Sequence, residues 1–179
     1  MNFVNTTIGL ASDHTGCELK TIIKSHLAER GLKYIDFGTD TVESCDYPDY
    51  AHKLRVAIEM KELEMGIALC GTGNGMAMTL NKSKDIRAGL AWNIEIAKLI
   101  SAHNKANILV LPTRFLSPDE LLPIVDAFFD TPFEGGRHLA RINKITSNTS
   151  ASSMYVSTDK KRMGKYLITI CDEITGKTT

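Results

Sequence analysis

An excess of charge of either sign is the first thing this sequence lacks: 21 Lys and Arg stand against 21 Asp and Glu, a formal net charge of zero. Nucleic-acid and anionic-membrane binding usually need a basic face, so neither is indicated, although a local basic pocket is still allowed. Long apolar runs are missing too, and none approaches the roughly 18 residues of a spanning helix. The segment from Met1 to Ser12 lacks the charged start, apolar stretch and cleavage site of a secretory signal. The expected location is the cytoplasm. Cysteine is scarce: Cys17, Cys45, Cys70 and Cys171 form no C-x-x-C pair and match no zinc spacing. Structural zinc and dithiol redox chemistry are therefore not expected, and the thiols of a cytosolic chain are reduced.

What is present is ordinary globular material, 179 residues with 43% hydrophobic content, enough for one domain with a sizeable core. Short apolar runs alternate with amphipathic stretches. Strands are predicted over residues 7–11, 33–38, 65–70, 86–92 and 106–111. The first helix carries Leu19, Ile22, Ile23, His26 and Leu27 on one face and stops at Gly31. A second starts near Pro48 and turns Tyr50, Leu54, Ala57 and Ile58 inward. A short helix runs to Asn81, another spans residues 94–103, and Ser117-Pro118-Asp119-Glu120 opens a fifth with a capping box ahead of Leu121, Leu122, Val125 and Phe128 or Phe129. A basic helix is expected near Gly136. Strand–helix alternation through five units predicts an α/β fold, a parallel sheet sandwiched between two helical layers. Active sites of such sheets lie beyond the carboxyl ends of the strands. From Thr146 the composition changes, and residues 146–179 read as a C-terminal extension that either packs on a partner subunit or is partly disordered.

Four places hold residues suited to chemistry. Asp13-His14 follows the first strand; an Asp beside a His can fix the imidazole, while the bland alternative is a helix cap with a surface His. Cys70-Gly71-Thr72-Gly73-Asn74-Gly75 links the third strand to a helix. Its glycines let successive amides face one concavity that holds an anion or a developing oxyanion. Met76 breaks the G-x-G-x-x-G dinucleotide pattern, and no Gly-Lys-Ser/Thr follows, so neither nucleotide motif is met. Cys70 is a candidate base or nucleophile there, or a core residue. Thr72 is a proton relay or a helix cap. His103-Asn104 ends the fourth helix, where His alone is often a cap. Arg137, His138 and Arg141 form a cationic cluster, the arginines projecting from one helix face at i and i+4, suited to a phosphate or simply solvated. Arg114, after the fifth strand, can join it.

Taken together, Asp13-His14-x-Gly16, Asp46-Tyr47-Pro48-x-Tyr50-Ala51, Cys70-Gly71-Thr72-Gly73-x-Gly75, Asn81-Lys82, Ile86-Arg87-Ala88, His103-Asn104 and Gly135-Gly136-Arg137-His138-x-x-Arg141 resemble the ribose-5-phosphate isomerase B and galactose-6-phosphate isomerase subunit family, from about residue 8 to residue 145. The resemblance places an isomerase domain over residues 1–145. It implies a Rossmann-like five-stranded sheet, a homodimer or homotetramer with shared sites, a sugar-phosphate substrate, and no metal or other cofactor. It implies catalytic roles for Cys70 as the base between C1 and C2, for Thr72 in proton transfer between the oxygens, and for His103 in opening the sugar ring. Gly71, Gly73, Asn74 and Gly75 would line the anion hole, with Asp13 and Tyr47 on the sugar. His14, Arg114, Arg137, His138 and Arg141 would hold the phosphate. His103, Asn104 and the arginine cluster would come from the neighbouring chain. One branch of the family carries a glutamate base just after the glycine loop and Ser for Thr; Met76 and Thr72 place this chain with the cysteine branch.

The implied reaction is aldose–ketose isomerisation, ribose 5-phosphate to ribulose 5-phosphate. A galactose 6-phosphate or allose 6-phosphate isomerase is the neighbouring alternative, and a non-catalytic sugar-phosphate or nucleotide-binding module the alternative of another class.

Overall fold

The structure is a computed structural model that describes residues 6–145; the expected extension over residues 146–179 lies outside the described residues. Five strands form one parallel sheet: β1 (Thr7–Ser12), β2 (Lys33–Asp36), β3 (Met65–Cys70), β4 (Ala88–Leu90) and β5 (Ile108–Pro112). They lie in the order β2-β1-β3-β5-β4, with Leu10 opposite Ile67 and Ala68 opposite Val110. The central strands read as near-continuous apolar runs because helices cover both faces. β2 is an edge strand with Lys33, Tyr34 and Ile35 largely exposed. β4 is three residues long, shorter than its apolar run over 86–92 predicts. Ile86 and Ala91 are buried beyond its ends, and the Arg87 N–H donates to Asn107 Oδ1 while its carbonyl still accepts from Ile108 N–H of β5.

Six helices complete the domain: α1 (Cys17–Glu29), α2 (Tyr47–Glu59), α3 (Asn74–Leu80), α4 (Ile94–Ala102), α5 (Pro118–Asp130) and α6 (Arg137–Ile145). One core lies between the sheet and α1, α4 and α5, where Ile23, Leu27, Leu121, Val125, Phe128 and Phe129 pack on Leu69, Leu109 and Leu111. The other lies under α2 and α3, where Leu54, Ile58, Met76 and Leu80 pack on Ala68, Ile108 and Val110. Each large side chain so buried contributes about 1.5–3 kcal/mol. The result is a Rossmann-like three-layer α/β/α sandwich.

The start of α5 is closed by the expected capping box: Glu120 Oε2 accepts from the Ser117 backbone N–H at 2.9 Å and from its hydroxyl at 2.7 Å. α1 departs from expectation at Lys20, which is 1% exposed on the face that periodicity assigns to apolar residues. Its Nζ donates to Thr39 O at 2.7 Å and pairs with Asp36 at 2.9 Å and Asp40 at 2.9 Å. This buried ammonium ties β2 to the loop that leads into α2.

Candidate active site

Strand order reverses between β1 and β3, so the crevice of this sheet opens above their carboxyl ends. Four loops meet there. The first is a 3-10 turn, His14–Gly16, capped by Asp13, whose Oδ1 accepts from Thr15 N at 2.9 Å and from Thr15 Oγ1 at 2.6 Å. Asp13 is thus 5% exposed and committed to its own turn, the capping alternative raised by the sequence. His14 Nδ1 accepts from the Cys45 backbone N–H at 3.3 Å. That fixes the tautomer, and the ring proton sits on Nε2.

The second is the glycine loop. Cys70 closes β3 and is 4% exposed, packed in the core beneath α2 and α3. Gly73 has φ +74°, a left-handed conformation, and a side chain there would collide with Leu90. Its N–H is committed to Cys70 O at 3.1 Å, and Asn74 N–H leans on Thr72 Oγ1 at 3.3 Å, while the N-cap of α3 is Gly73 with no side-chain cap. Two of the amides expected to face an anion are therefore engaged locally. Gly75 and Met76, in the first turn of α3, have no carbonyl one turn earlier to reach.

Two side chains bracket this loop. The Tyr47 ring from the start of α2 lies over Gly75, where an added Cβ would sit 2.5 Å from Tyr47 Cζ, so only glycine admits the ring. The Arg114 guanidinium lies over Gly71, 3.1 Å from a Cβ placed there, while Arg114 N–H donates to Gly71 O at 3.1 Å. Arg114 belongs to a 3-10 turn, Thr113–Phe115, fastened to the His14 turn through Thr15 Oγ1 and Thr113 Oγ1 at 3.0 Å. His14 and Arg114 are therefore neighbouring cationic or donor groups on one rim.

The remaining predicted residues form a second cluster. α4 runs back against the strands, so its C-cap His103 returns to the amino edge of the sheet, beside the start of β5. α5 returns there too, and Glu134 N–H donates to Ala102 O at 3.0 Å. His103 and His138 stack with ring centroids 4.1 Å apart and planes 7° from parallel. Glu134 Oε2 is 3.6 Å from His103 Nε2 and 3.4 Å from His138 Nε2. Arg137 Nε donates to His138 Nε2 at 3.4 Å. Burial, then His103 and Arg137, hold the His138 imidazole below its ordinary value, while Glu134 opposes them. Arg137, Arg141 and Asn104 are exposed.

A single chain thus divides the predicted residues between two edges. Asp13, His14, Tyr47, residues 70–75 and Arg114 lie at the carboxyl edge. His103, Asn104, Arg137, His138 and Arg141 lie at the amino edge, about 15 Å away, the length of a strand. Sequence reasoning missed Glu134, whose signal was an acidic residue set directly before the Gly135-Gly136 pair and the basic cluster. It also missed the role of Arg87. The guanidinium of Arg87 donates to Asn104 O at 3.1 Å and Lys105 O at 2.8 Å and pins the His103 turn.

A parallel α/β sheet whose carboxyl edge carries a thiol, a glycine loop and a cationic rim defines an enzyme for small phosphorylated substrates. Residues 8–145 match the Ribose/Galactose Isomerase family, and the chain belongs to it. A probable ribose-5-phosphate isomerase B of Mycoplasma pneumoniae is 43% identical over 143 residues, covering 79% of this chain and 94% of that protein. The crystal structure of a ribose 5-phosphate isomerase from Thermotoga maritima superposes with a TM-score of 0.76 at 47% identity, covering 79% of this chain and 97% of that one. A ribose-5-phosphate isomerase B of Mycoplasma genitalium with bound ribulose 5-phosphate superposes with a TM-score of 0.75 at 40% identity, covering 79% and 94%. The chain is a sugar-phosphate isomerase of the ribose-5-phosphate isomerase B type, which sets aside the non-catalytic alternative. Among the described residues, no helix is long and apolar enough to cross a membrane.

Proposed function

We propose that this isomerase interconverts ribose 5-phosphate and ribulose 5-phosphate, with the Cys70 thiolate as base, in a site completed by a second copy of the chain. The observation that carries this reading is Cys70 at the carboxyl end of β3, followed after the Gly71–Gly73 turn by the first-turn amides of α3. A base in that place takes the C2 proton of the open-chain aldose and returns it to C1. Negative charge grows meanwhile on the carbonyl oxygen, where the Gly75 and Met76 amides can meet it. Such donors lower the barrier by about 3–4 kcal/mol each in other enzymes. Thr72 exchanges the proton between O1 and O2.

The partition between two edges supports the second copy. The phosphate needs more cationic charge than Arg114 supplies beside the His14 Nε2–H donor, and the ring-opening imidazole His103 is a strand's length from Cys70 in its own chain. A partner that presents its amino edge to this carboxyl edge brings His103, Asn104, Arg137, His138 and Arg141 to the substrate. Asp13, held by Thr15, meets the sugar through the carboxylate oxygen its turn leaves over. Residues 1–145 form the isomerase domain in this reading.

The substrate choice rests on the ribulose 5-phosphate bound to the Mycoplasma genitalium relative. The family's description also includes galactose, so a six-carbon phosphosugar is the second reading. Turnover of ribose 5-phosphate, galactose 6-phosphate and allose 6-phosphate, measured side by side with EDTA present, tests it. Ribose 5-phosphate is expected to have kcat/KM at least about tenfold above the others, the discrimination a pocket sized for one fewer carbon can supply. A preference for a six-carbon sugar would move the assignment, and loss of activity in EDTA would defeat the metal-free mechanism.

A further inference from the structure

We propose that Arg87 is a positioning residue for the isomerisation: its guanidinium sets the turn that carries His103 and Asn104, and so governs ring opening without touching the sugar. The inference rests on the reading of His103 as the ring-opening imidazole. The last carbonyls of α4 are each taken by a backbone N–H: Leu99 O by His103, Ile100 O by Ala106, Ser101 O by Lys105 and Ala102 O by Glu134. The chain then turns through Lys105 at φ +47°, a left-handed conformation that glycine adopts at less cost. The carbonyls of Asn104 and Lys105 turn to Arg87. Its Nε lies 3.1 Å from Asn104 O and 3.0 Å from Lys105 O, and Nη2 donates to Lys105 O at 2.8 Å.

The root of this side chain is fixed to the sheet. Arg87 N–H donates to Asn107 Oδ1 at 2.8 Å, its carbonyl accepts from Asn107 N–H at 3.1 Å, and Asn107 Nδ2 donates to Asp85 O at 2.9 Å. The guanidinium is half-buried, and burial holds it below its ordinary value. A cation is kept against that penalty where a fork of donors must reach two carbonyls at once, which the point charge of lysine does not do. A left-handed residue other than glycine persists only where its surroundings over-determine it. Arg87 supplies that restraint at Lys105. Without it the turn relaxes, and His103 and Asn104 move with it. A displacement of about 1 Å in a positioned group lowers a rate by up to about a hundredfold.

Only the aldose needs its ring opened. Ribulose 5-phosphate is an open-chain ketose, because its C5 oxygen carries the phosphate, so removal of its C1 proton at Cys70 bypasses His103. The test compares two rates in each full-length variant: kcat on saturating ribose 5-phosphate, and deuterium entry at C1 of saturating ribulose 5-phosphate in D₂O, read by NMR. Both come from the same folded population, so any unfolded fraction cancels from their ratio. Arg87→Met should lower kcat at least about tenfold while exchange stays within about twofold of the parent. Arg87→Lys, which keeps one donor site of the fork, should fall between. Adding Arg87→Met to His103→Asn should change the ratio by less than about twofold further, because both lesions act on one step. A parental ratio in His103→Asn would remove the ring-opening role and the inference with it. A shifted ratio in His103→Asn beside a parental one in Arg87→Met, or full additivity in the double variant, would overturn the inference alone.

Discussion

Cys70 is 4% exposed, which limits the chemistry its thiol can do. Its side chain packs with Met76 and Val110, and the Tyr47 and Arg114 side chains lie over the loop that follows. A sulfur so placed is reached by a small molecule seated in the crevice, not by a bulky oxidant or a second protein thiol. A base for a C–H proton needs only that narrow opening, because the substrate carbon comes to it. Cys70→Ser keeps the shape and removes the basicity. We expect kcat to fall at least about a hundredfold, the range for a lost general base, with KM within about twofold of the parent. Steady-state rates of ketose formation decide it, and a variant with near-parental kcat would remove Cys70 from the proton transfer.

The loop between β2 and α2 delivers Cys45 and Tyr47 to the site, and one buried ammonium holds its beginning. Lys20 Nζ bonds Thr39 O and both Asp36 and Asp40, while Lys24 also reaches Asp36 at 3.0 Å. Lys20→Met keeps the length and deletes the charge. Loss of one partner from a buried ion pair costs about 3–5 kcal/mol, and the low end applies because Lys24 still compensates Asp36. Urea unfolding should show a lower midpoint at unchanged slope. The same contact makes the loop sensitive to acid. The hydrogen bond from Lys20, then its charge, holds the Asp40 carboxyl below its ordinary value. The unfolded chain therefore binds this proton at higher pH than the folded one. Stability from Asp40 is complete above the ordinary value near 3.9 and is lost as pH falls below it. Asp40→Asn should flatten the fall of the unfolding midpoint over about pH 3–5, and an unchanged acid limb would show that Lys20 gains nothing from this partner. Elements of this kind mark where the sequence was legible. The five strands, the capping box at Ser117 and the helix from Arg137 announce themselves by local pattern. Lys20 does not, because apolar periodicity cannot see a charge whose acceptors arrive from residues 36–40. Glu134 hid for a similar reason: its partners, His103 and His138, are brought to it by the return of α4 and by the turn at Gly135-Gly136. The late start of β4 follows from Arg87, whose N–H turns to the Asn107 side chain instead of to the neighbouring strand.

At the scale of the whole molecule, the parallel topology itself separates the two halves of the chemistry. Every crossover helix starts at the carboxyl edge and ends at the amino edge, so residues that end strands and residues that end helices cannot meet in one copy. Cys70 ends strand β3 and Arg114 lies in the turn after β5, His103 caps helix α4, and His138 follows α5. The proposed two-fold dimer would resolve this twice, each copy giving its carboxyl edge to one site and its amino edge to the other. That arrangement makes a quantitative demand on mixed oligomers. Cys70→Ser disables a carboxyl edge and Arg137→Ala an amino edge, so each homodimer is defective in both its sites. In a mixed dimer both lesions fall into one site, and the other site is built from two intact edges. Random reassembly of equal amounts pairs unlike chains half the time, and one site in two of those is whole, so about a quarter of parental activity should return on mixing. The measurement is ketose formation after co-refolding, with each inactive variant alone as baseline. Recovery near a quarter requires an active site built across two chains. A mixture no more active than the average of its parts would mean that each copy completes its own site, and that His103 and the arginines act somewhere other than on the substrate held at Cys70.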